Sequence, residues 1–188
     1  ESHKTYAAEV TLGIQTDTDD AEGEHILSKV ITCSDEEARR KLLSFLGSSM
    51  QQPPIYSALK VQGKPMYKYA REGIKVEKAA RAIEIKTIEN ISINLPKISF
   101  EVSCSKGTYI RSIARDLGEL LDCGGHLSAL KRLTQQEFLI KDAKKIDEIT
   151  ELDIIPLEKA FNHLGSVNLP EEKLKKFING SAIDLGLP

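Results

Sequence analysis

No stretch of the 188 residues is apolar for long enough to cross a bilayer. The N-terminal residues carry no charged-then-apolar signal pattern, so a soluble chain is expected. Cysteine is scarce: Cys33, Cys104 and Cys123 are odd in number, far apart and without C-x-x-C spacing. That excludes a disulfide framework by pattern and fits the reducing cytoplasm; Cys104 reads as an ordinary core thiol. The four histidines, His3, His25, His126 and His163, are scattered. No metal site is expected. Internal repeats and low-complexity tracts are lacking. Positive charge is not in excess either, since the formal net charge is −2. A nucleic-acid binder need not be basic throughout, because what matters is where the charge sits.

What is present is enough apolar residue, 40%, for one sizeable core and a small appendage. Residues 4–14 alternate, with Tyr6, Ala8, Val10, Leu12 and Ile14 on one face, and predict a strand that needs a neighbour. Residues 16–24 then carry five acids and no base, which reads as a solvated turn. The spacing does not fit a calcium-binding EF-hand loop. Ser34 and Glu37 form a capping-box pattern for a helix with Ala38, Leu42, Phe45 and Leu46 inward, ended by Gly47. Residues 82–95 predict one or two strands with Ile83, Ile85, Ile91 and Ile93 inward, and 98–104 a further strand paired by hairpin. Leu127, Leu130 and Leu133 suggest a short helix bearing Lys131 and Arg132, followed by a short strand within 136–140 and a helix near 156–163. A last helix opens at Pro170 and closes at Asn179-Gly180.

The chain is organised around residues 103–121. The strand Ile98-Ser99-Phe100-Glu101-Val102-Ser103-Cys104 has period two, and Ile110, Ile113, Ala114, Leu117, Leu120 and Leu121 fall on one helical stripe. The change of period puts Ser105-Lys106-Gly107-Thr108 at a strand-to-helix turn. There Gly107 permits a positive φ and Thr108 is the expected N-cap. Tyr109 and Arg111 straddle the junction; in extended backbone they share a face and converge on one pocket. The plainer reading is a core tyrosine and a surface arginine at a helix start.

A second informative stretch runs from Gln51 to Arg81. Gln51-Gln52-Pro53-Pro54-Ile55-Tyr56 reads as an extended loop, and Met66 to Arg71 as a short helix. From Lys60 to Arg81 there are seven bases against two acids, with Tyr56, Tyr67 and Tyr69 interleaved. Basic groups with aromatics on a projecting segment suit RNA, through phosphate contacts and stacking. A solvated charged hairpin is the alternative.

Ser105-Lys106-Gly107-Thr108-Tyr109-Ile110-Arg111 followed by Asp116-Leu117-Gly118 closely resembles a motif of the TruB family of tRNA pseudouridine synthases. Lys4-Thr5-Tyr6, Thr16 to Gly23, Pro54-Ile55-Tyr56-Ser57-Ala58-Leu59-Lys60 with Gly63, and Tyr67-x-x-Ala70-Arg71-x-Gly73 occur in the family's order and approximate spacing. The resemblance covers almost the whole chain. It implies an α+β fold, a mixed and mainly antiparallel sheet with flanking helices. It also implies isomerisation of a T-loop uridine, position 55, of tRNA to pseudouridine: the N1–C1′ bond breaks, the uracil turns, and the ring rejoins through C5, without metal or cofactor. The uridine first leaves the stack, and an aspartate is the nucleophile. By the resemblance Tyr109 packs on the everted base near C5, Arg111 holds the nucleophilic carboxylate, Tyr6 stacks on the other side, and Asp20 is an acid beside the pocket. Residues 53–81 correspond to a thumb that grips the tRNA T-arm, with Tyr56, Lys60, Lys64, Tyr67, Lys68 and Arg71 as RNA contacts beside Lys106. Residues 1–164 are then the catalytic domain, and 165–188 the start of a PUA-type RNA-binding domain.

One departure matters. The family nucleophile lies in a Gly-x-Leu-Asp-Pro-like loop ahead of the Lys-x-Tyr strand, and this sequence contains no Asp-Pro pair. The expectation is a catalytic domain shortened at its N-terminus, incomplete in fold there and inactive alone. Two other readings are open: a non-catalytic RNA-binding or RNA-chaperone module, and a guide-RNA-dependent relative, against which the long insertion argues. A monomer is expected for the complete protein, in the cytoplasm, with tRNA and neither membrane nor metal as partner.

Overall fold

The computed structural model describes residues 3–74, 76, 79–156, 159, 161 and 164–185. The chain divides into two compact units, Glu1–Ala143 and Lys144–Pro188.

The first unit is built on a six-stranded sheet. Its strands are β1 (His3–Leu12), β4 (Gly47–Gln51), β7 (Arg81–Asn94), β8 (Lys97–Ser105), β9 (Gly125–Gln135) and β10 (Phe138–Leu139), in the order β10-β9-β1-β8-β7-β4. Every ladder between them is antiparallel, in keeping with the mainly antiparallel sheet expected. Two short hairpins stand apart from it, β2 (Ile14–Thr16) with β3 (His25–Ser28), and β5 (Lys60–Val61) with β6 (Lys64–Pro65). The helices are α1 (Asp35–Leu43), α2 (Met66–Arg71) and α3 (Ile110–Leu120).

Alternation explains the sheet. Tyr6, Ala8, Val10 and Leu12 of β1 and Ile98, Phe100, Val102 and Cys104 of β8 are buried, and their intervening neighbours are only half-buried. Onto this face α1 brings Ala38 and Leu42, and α3 brings Ile110, Ile113, Ala114 and Leu117. Full burial of each large aliphatic side chain contributes about 1.5–3 kcal/mol. Ser34 caps α1 by accepting from the Glu37 N–H at 3.2 Å. The helix ends at Leu43 rather than running to Gly47, and Leu46 is exposed.

The run 4–14 is not one strand. It breaks at Gly13, and Ile14 belongs to the β2–β3 hairpin. Residues 125–135 are a strand, not the helix that Leu127, Leu130 and Leu133 suggest. The reason is two irregularities in the β1–β9 ladder, between Thr5 and Tyr6 and between Glu9 and Val10. Each inserts an extra β9 residue, Leu133 and Ser128. The bulge at Ser128 sets Leu127 and Leu130 three apart on one face, and Leu133 is itself an inserted residue, so the leucine spacing imitates a helix. On β7 the same effect carries burial from Ile83 and Ile85 to Ile88 across a bulge.

One close approach fixes α3 against β9. A Cβ on Gly118 would lie 2.2 Å from the carbonyl carbon of Gly124 and the nitrogen of Gly125, so no other residue fits there.

Described in the second unit are 3-10 turns at Ile146–Glu148 and Glu151–Asp153 and the helix α4 (Glu171–Ile178). Pro170 precedes α4, Glu171 and Glu172 occupy its first turn, and Gly180 follows at φ 71°. The helix expected near 156–163 falls mostly on residues outside those described. None of the described helices is long and apolar enough to cross a membrane.

Candidate functional site

The strand-to-helix turn after β8 is set by Gly107, at φ 86°. Thr108 does not cap α3: its hydroxyl donates back to the Ser105 carbonyl at 3.0 Å, and Tyr109 occupies the N-cap position without a side-chain bond. Capping comes from far away in sequence. Gln51, buried at the end of β4, accepts from the Tyr109 N–H at 2.8 Å and donates to the Tyr109 carbonyl at 3.0 Å. A local motif search cannot see this, because the partner lies 58 residues upstream.

Tyr109 and Arg111 line one cavity of about 640 Å³ together with Tyr6 and Asp20. β9 supplies another part of the lining, with Leu127 and Arg132. The Arg111 guanidinium is held on three sides. Nη1 donates to Asp20 Oδ2 at 2.9 Å and to the Thr18 carbonyl at 3.4 Å, and Nη2 donates to the Tyr56 carbonyl at 2.6 Å. Asp20 Oδ1 in turn accepts from the Thr18 hydroxyl at 2.6 Å and the Glu22 N–H at 3.2 Å. The carboxylate that the fold pairs with Arg111 is Asp20.

The acidic loop is therefore an organised element, not a solvated turn. Asp17 Oδ1 accepts from the Glu24 N–H at 2.8 Å, and Asp17 Oδ2 accepts from the Tyr56 hydroxyl at 3.2 Å. Burial, then the Asp17 charge, pushes the Tyr56 phenol up. Behind Arg111 lies a second ionic cluster. Arg115 Nη1 meets Asp19 Oδ2 at 3.0 Å and Arg115 Nη2 meets Asp116 Oδ1 at 2.7 Å. Burial pushes the Asp19 carboxyl up to about 6 despite the two neighbouring arginines, and pushes Asp116 up as well. Arg115 Nη2 and Ser112 Oγ both donate to the Gln52 carbonyl, at 3.1 and 3.2 Å. Sequence reading missed Gln51, Arg115 and Asp19, and it placed Arg132 on a helix.

Aromatic faces near the site carry cations. The Arg132 guanidinium carbon is 5.5 Å from the Tyr6 ring centroid, and that of Arg81 is 4.8 Å from the Tyr109 centroid. The remaining RNA-contact candidates lie elsewhere. Lys106 lines a different cavity, with His3, Ser48 and Glu84. In the 53–81 segment Lys64 donates to Glu72 at 2.6 Å and sits 4.5 Å from the Tyr69 ring, and Arg71 covers Tyr67 at 5.5 Å. Lys60 opens β5, and Lys68 is exposed on α2. Of the seven bases counted there, Lys75 and Lys78 lie outside the described residues. Among the described residues no group of three or more His, Cys, Asp or Glu could hold a metal ion.

Comparison with known proteins adds the following. Residues 1–110 match the model of the TruB family pseudouridylate synthase N-terminal domain. The tRNA pseudouridine synthase B of Alkaliphilus oremlandii is 40% identical over 185 residues, covering 96% of this chain and 62% of that protein. That of Clostridium kluyveri is 42% identical over 187 residues, covering 97% of this chain and 65% of that protein. The chain thus spans under two thirds of the length of these curated relatives. A chain in a solved Cbf5-Nop10-Gar1 complex superposes with a TM-score of 0.51 at 24% identity, over 73% of this chain and 32% of that one. A likeness at that identity concerns the fold.

Proposed function

The chain belongs to the TruB family of pseudouridylate synthases, and from that premise we propose that it forms most of the catalytic domain of a tRNA pseudouridine synthase acting on uridine 55 of the T-loop. The observation that carries this reading is the convergence of Tyr6, Asp20, Tyr109 and Arg111 on one cavity, in a chain 40% identical to a tRNA pseudouridine synthase B.

The reaction needs a uracil outside the RNA stack, an ionised carboxylate near C1′, and control of the loosened base while its C5 turns toward the sugar. In this reading the everted uracil enters the cavity between Tyr6 and Tyr109, whose rings offer π-faces to a planar base. Arg111 orients the nucleophile. Its contacts to Asp20, Thr18 and Tyr56 use three of five N–H donors, which leaves two for a second carboxylate. Asp20 keeps the guanidinium in place and partly offsets its charge. The nucleophilic aspartate of the Gly-x-Leu-Asp-Pro-like motif is not among these residues, so the 188 residues alone are inactive in this reading. The 53–81 segment is the T-arm grip, and 165–188 begins a PUA-type domain.

The test is pseudouridine formation on T-arm RNA, with and without a family-type N-terminal segment restored ahead of Tyr6. No product is expected from the 188 residues alone, and turnover from the restored protein. In the restored protein Arg111→Ala should lower the rate by about 10²–10³ or more, as for loss of a group stabilising the reacting charges, with RNA affinity largely kept. Turnover by the unrestored chain would refute the assignment of the nucleophile. RNA binding without turnover in the restored protein would favour the binding-module reading.

A further inference from the structure

Four charged side chains line the cavity: Asp20, Glu22, Arg111 and Arg132. Asp20 and Arg111 are paired with each other. Arg132 is different. Its described contacts are a hydrogen bond from Nη1 to Gln135 Oε1 at 2.8 Å and its stacking over Tyr6, and it remains exposed. No carboxylate pairs with it among the described residues. Its aim is a product of the ladder: the bulge at Leu133 puts Arg132 opposite Tyr6, and bulges re-aim side chains in this way.

Uracil is neutral, but a uridine within RNA carries a phosphodiester on each side. Everting the nucleotide brings those phosphates to the mouth of the cavity that takes the base. A guanidinium there offers a planar fork of donors to a phosphate, and the Tyr6 ring beneath it orients that plane. We propose that Arg132 binds a backbone phosphate flanking the everted uridine. This rests on the uridine-binding reading above. The exposed Glu22 carboxylate of the same lining repels that phosphate, which makes the Arg132 contact more consequential.

The experiment is binding of a labelled T-arm hairpin RNA to the 188-residue chain, read as affinity against salt. Arg132→Gln should lower the slope of log affinity against log salt by about 0.7–0.9, one phosphate's worth. Arg132→Lys should keep the slope, because the charge stays. A slope unchanged by Arg132→Gln overturns the proposal. So does an equal loss in Arg132→Lys, which would assign the effect to packing on Tyr6. If the unsubstituted chain binds the T-arm hairpin no better than an unrelated hairpin of equal length, the uridine-binding reading itself falls, and this inference with it. Competition separates the two further: uridine 3′,5′-bisphosphate should displace the hairpin better than uridine does, and Arg132→Gln should erase that advantage.

Discussion

At the scale of single residues, Asp19 shows what burial does to a charge beside the site. Its side chain is nearly enclosed, its backbone sits at φ 63°, and Arg115 is 3.0 Å away, yet its carboxyl is pushed up to about 6. Desolvation outweighs the ion pair. The sign follows from proton counting. Between about pH 4 and about pH 6 the folded chain holds a proton on Asp19 that the unfolded chain has released, so stability falls as pH rises through that window. Asp116, raised by burial too, adds in the same direction. Unfolding free energies from urea titrations across the window should fall with pH by an amount on the order of 2 kcal/mol, with the midpoints falling alongside, and Asp19→Asn should flatten much of that slope. A midpoint that rises with pH would contradict the burial argument. None of this was legible in the sequence. Five acids in nine residues look like a solvated loop until Arg111 and Arg115, more than 90 residues on, are folded against them.

At the scale of elements, legibility followed the regularity of the period. β1, β8, α1 and α3 alternate or stripe cleanly, and the sequence locates all four, because each buries one face against a single core. β9 does not alternate, since bulges at Ser128 and Leu133 break its parity, and its leucines pass for a helix. The junction that aims Tyr109 was half legible. Gly107 marked the turn, but Gln51, which holds it, stands in what reads as a loop. Gln51 is 4% exposed and satisfies both polar groups of the Tyr109 backbone. Gln51→Ala strands the Tyr109 N–H, while the Tyr109 carbonyl keeps the Ile113 N–H at 3.4 Å, and a loss of about 1–3 kcal/mol is expected. Urea unfolding measures this; a change under about 0.5 kcal/mol would mean that the turn keeps its shape unaided. Because Tyr109 and Arg111 share this junction, Gln51→Ala in the restored protein should lower turnover more than it lowers RNA affinity.

At the scale of the whole molecule, the proposed function asks a chain of net charge −2 to hold a polyanion. The charges are separated rather than scarce. The acids of residues 17–20 face inward to Arg111 and Arg115 or bind the Tyr56 hydroxyl, so their field is largely spent within the fold. The bases of the 53–81 segment differ among themselves, which sequence counting cannot reveal. Lys64 is already bound to Glu72 and stacked on Tyr69. In the proposed grip, an RNA phosphate has to displace Glu72 before Lys64 can release a counterion. Lys68 stands exposed on α2. If this segment grips the T-arm, neutralising Lys60, Lys64 and Lys68 together should weaken tRNA binding and flatten its salt dependence. The contributions should be unequal: Lys68→Gln alone should lower the slope by about 0.9, and Lys64→Gln by distinctly less. Salt titrations of the single variants measure this directly. Binding that ignores all three substitutions would remove the segment from the RNA interface, whereas equal slopes lost at Lys64 and Lys68 would mean that the Glu72 pair opens without cost when RNA arrives.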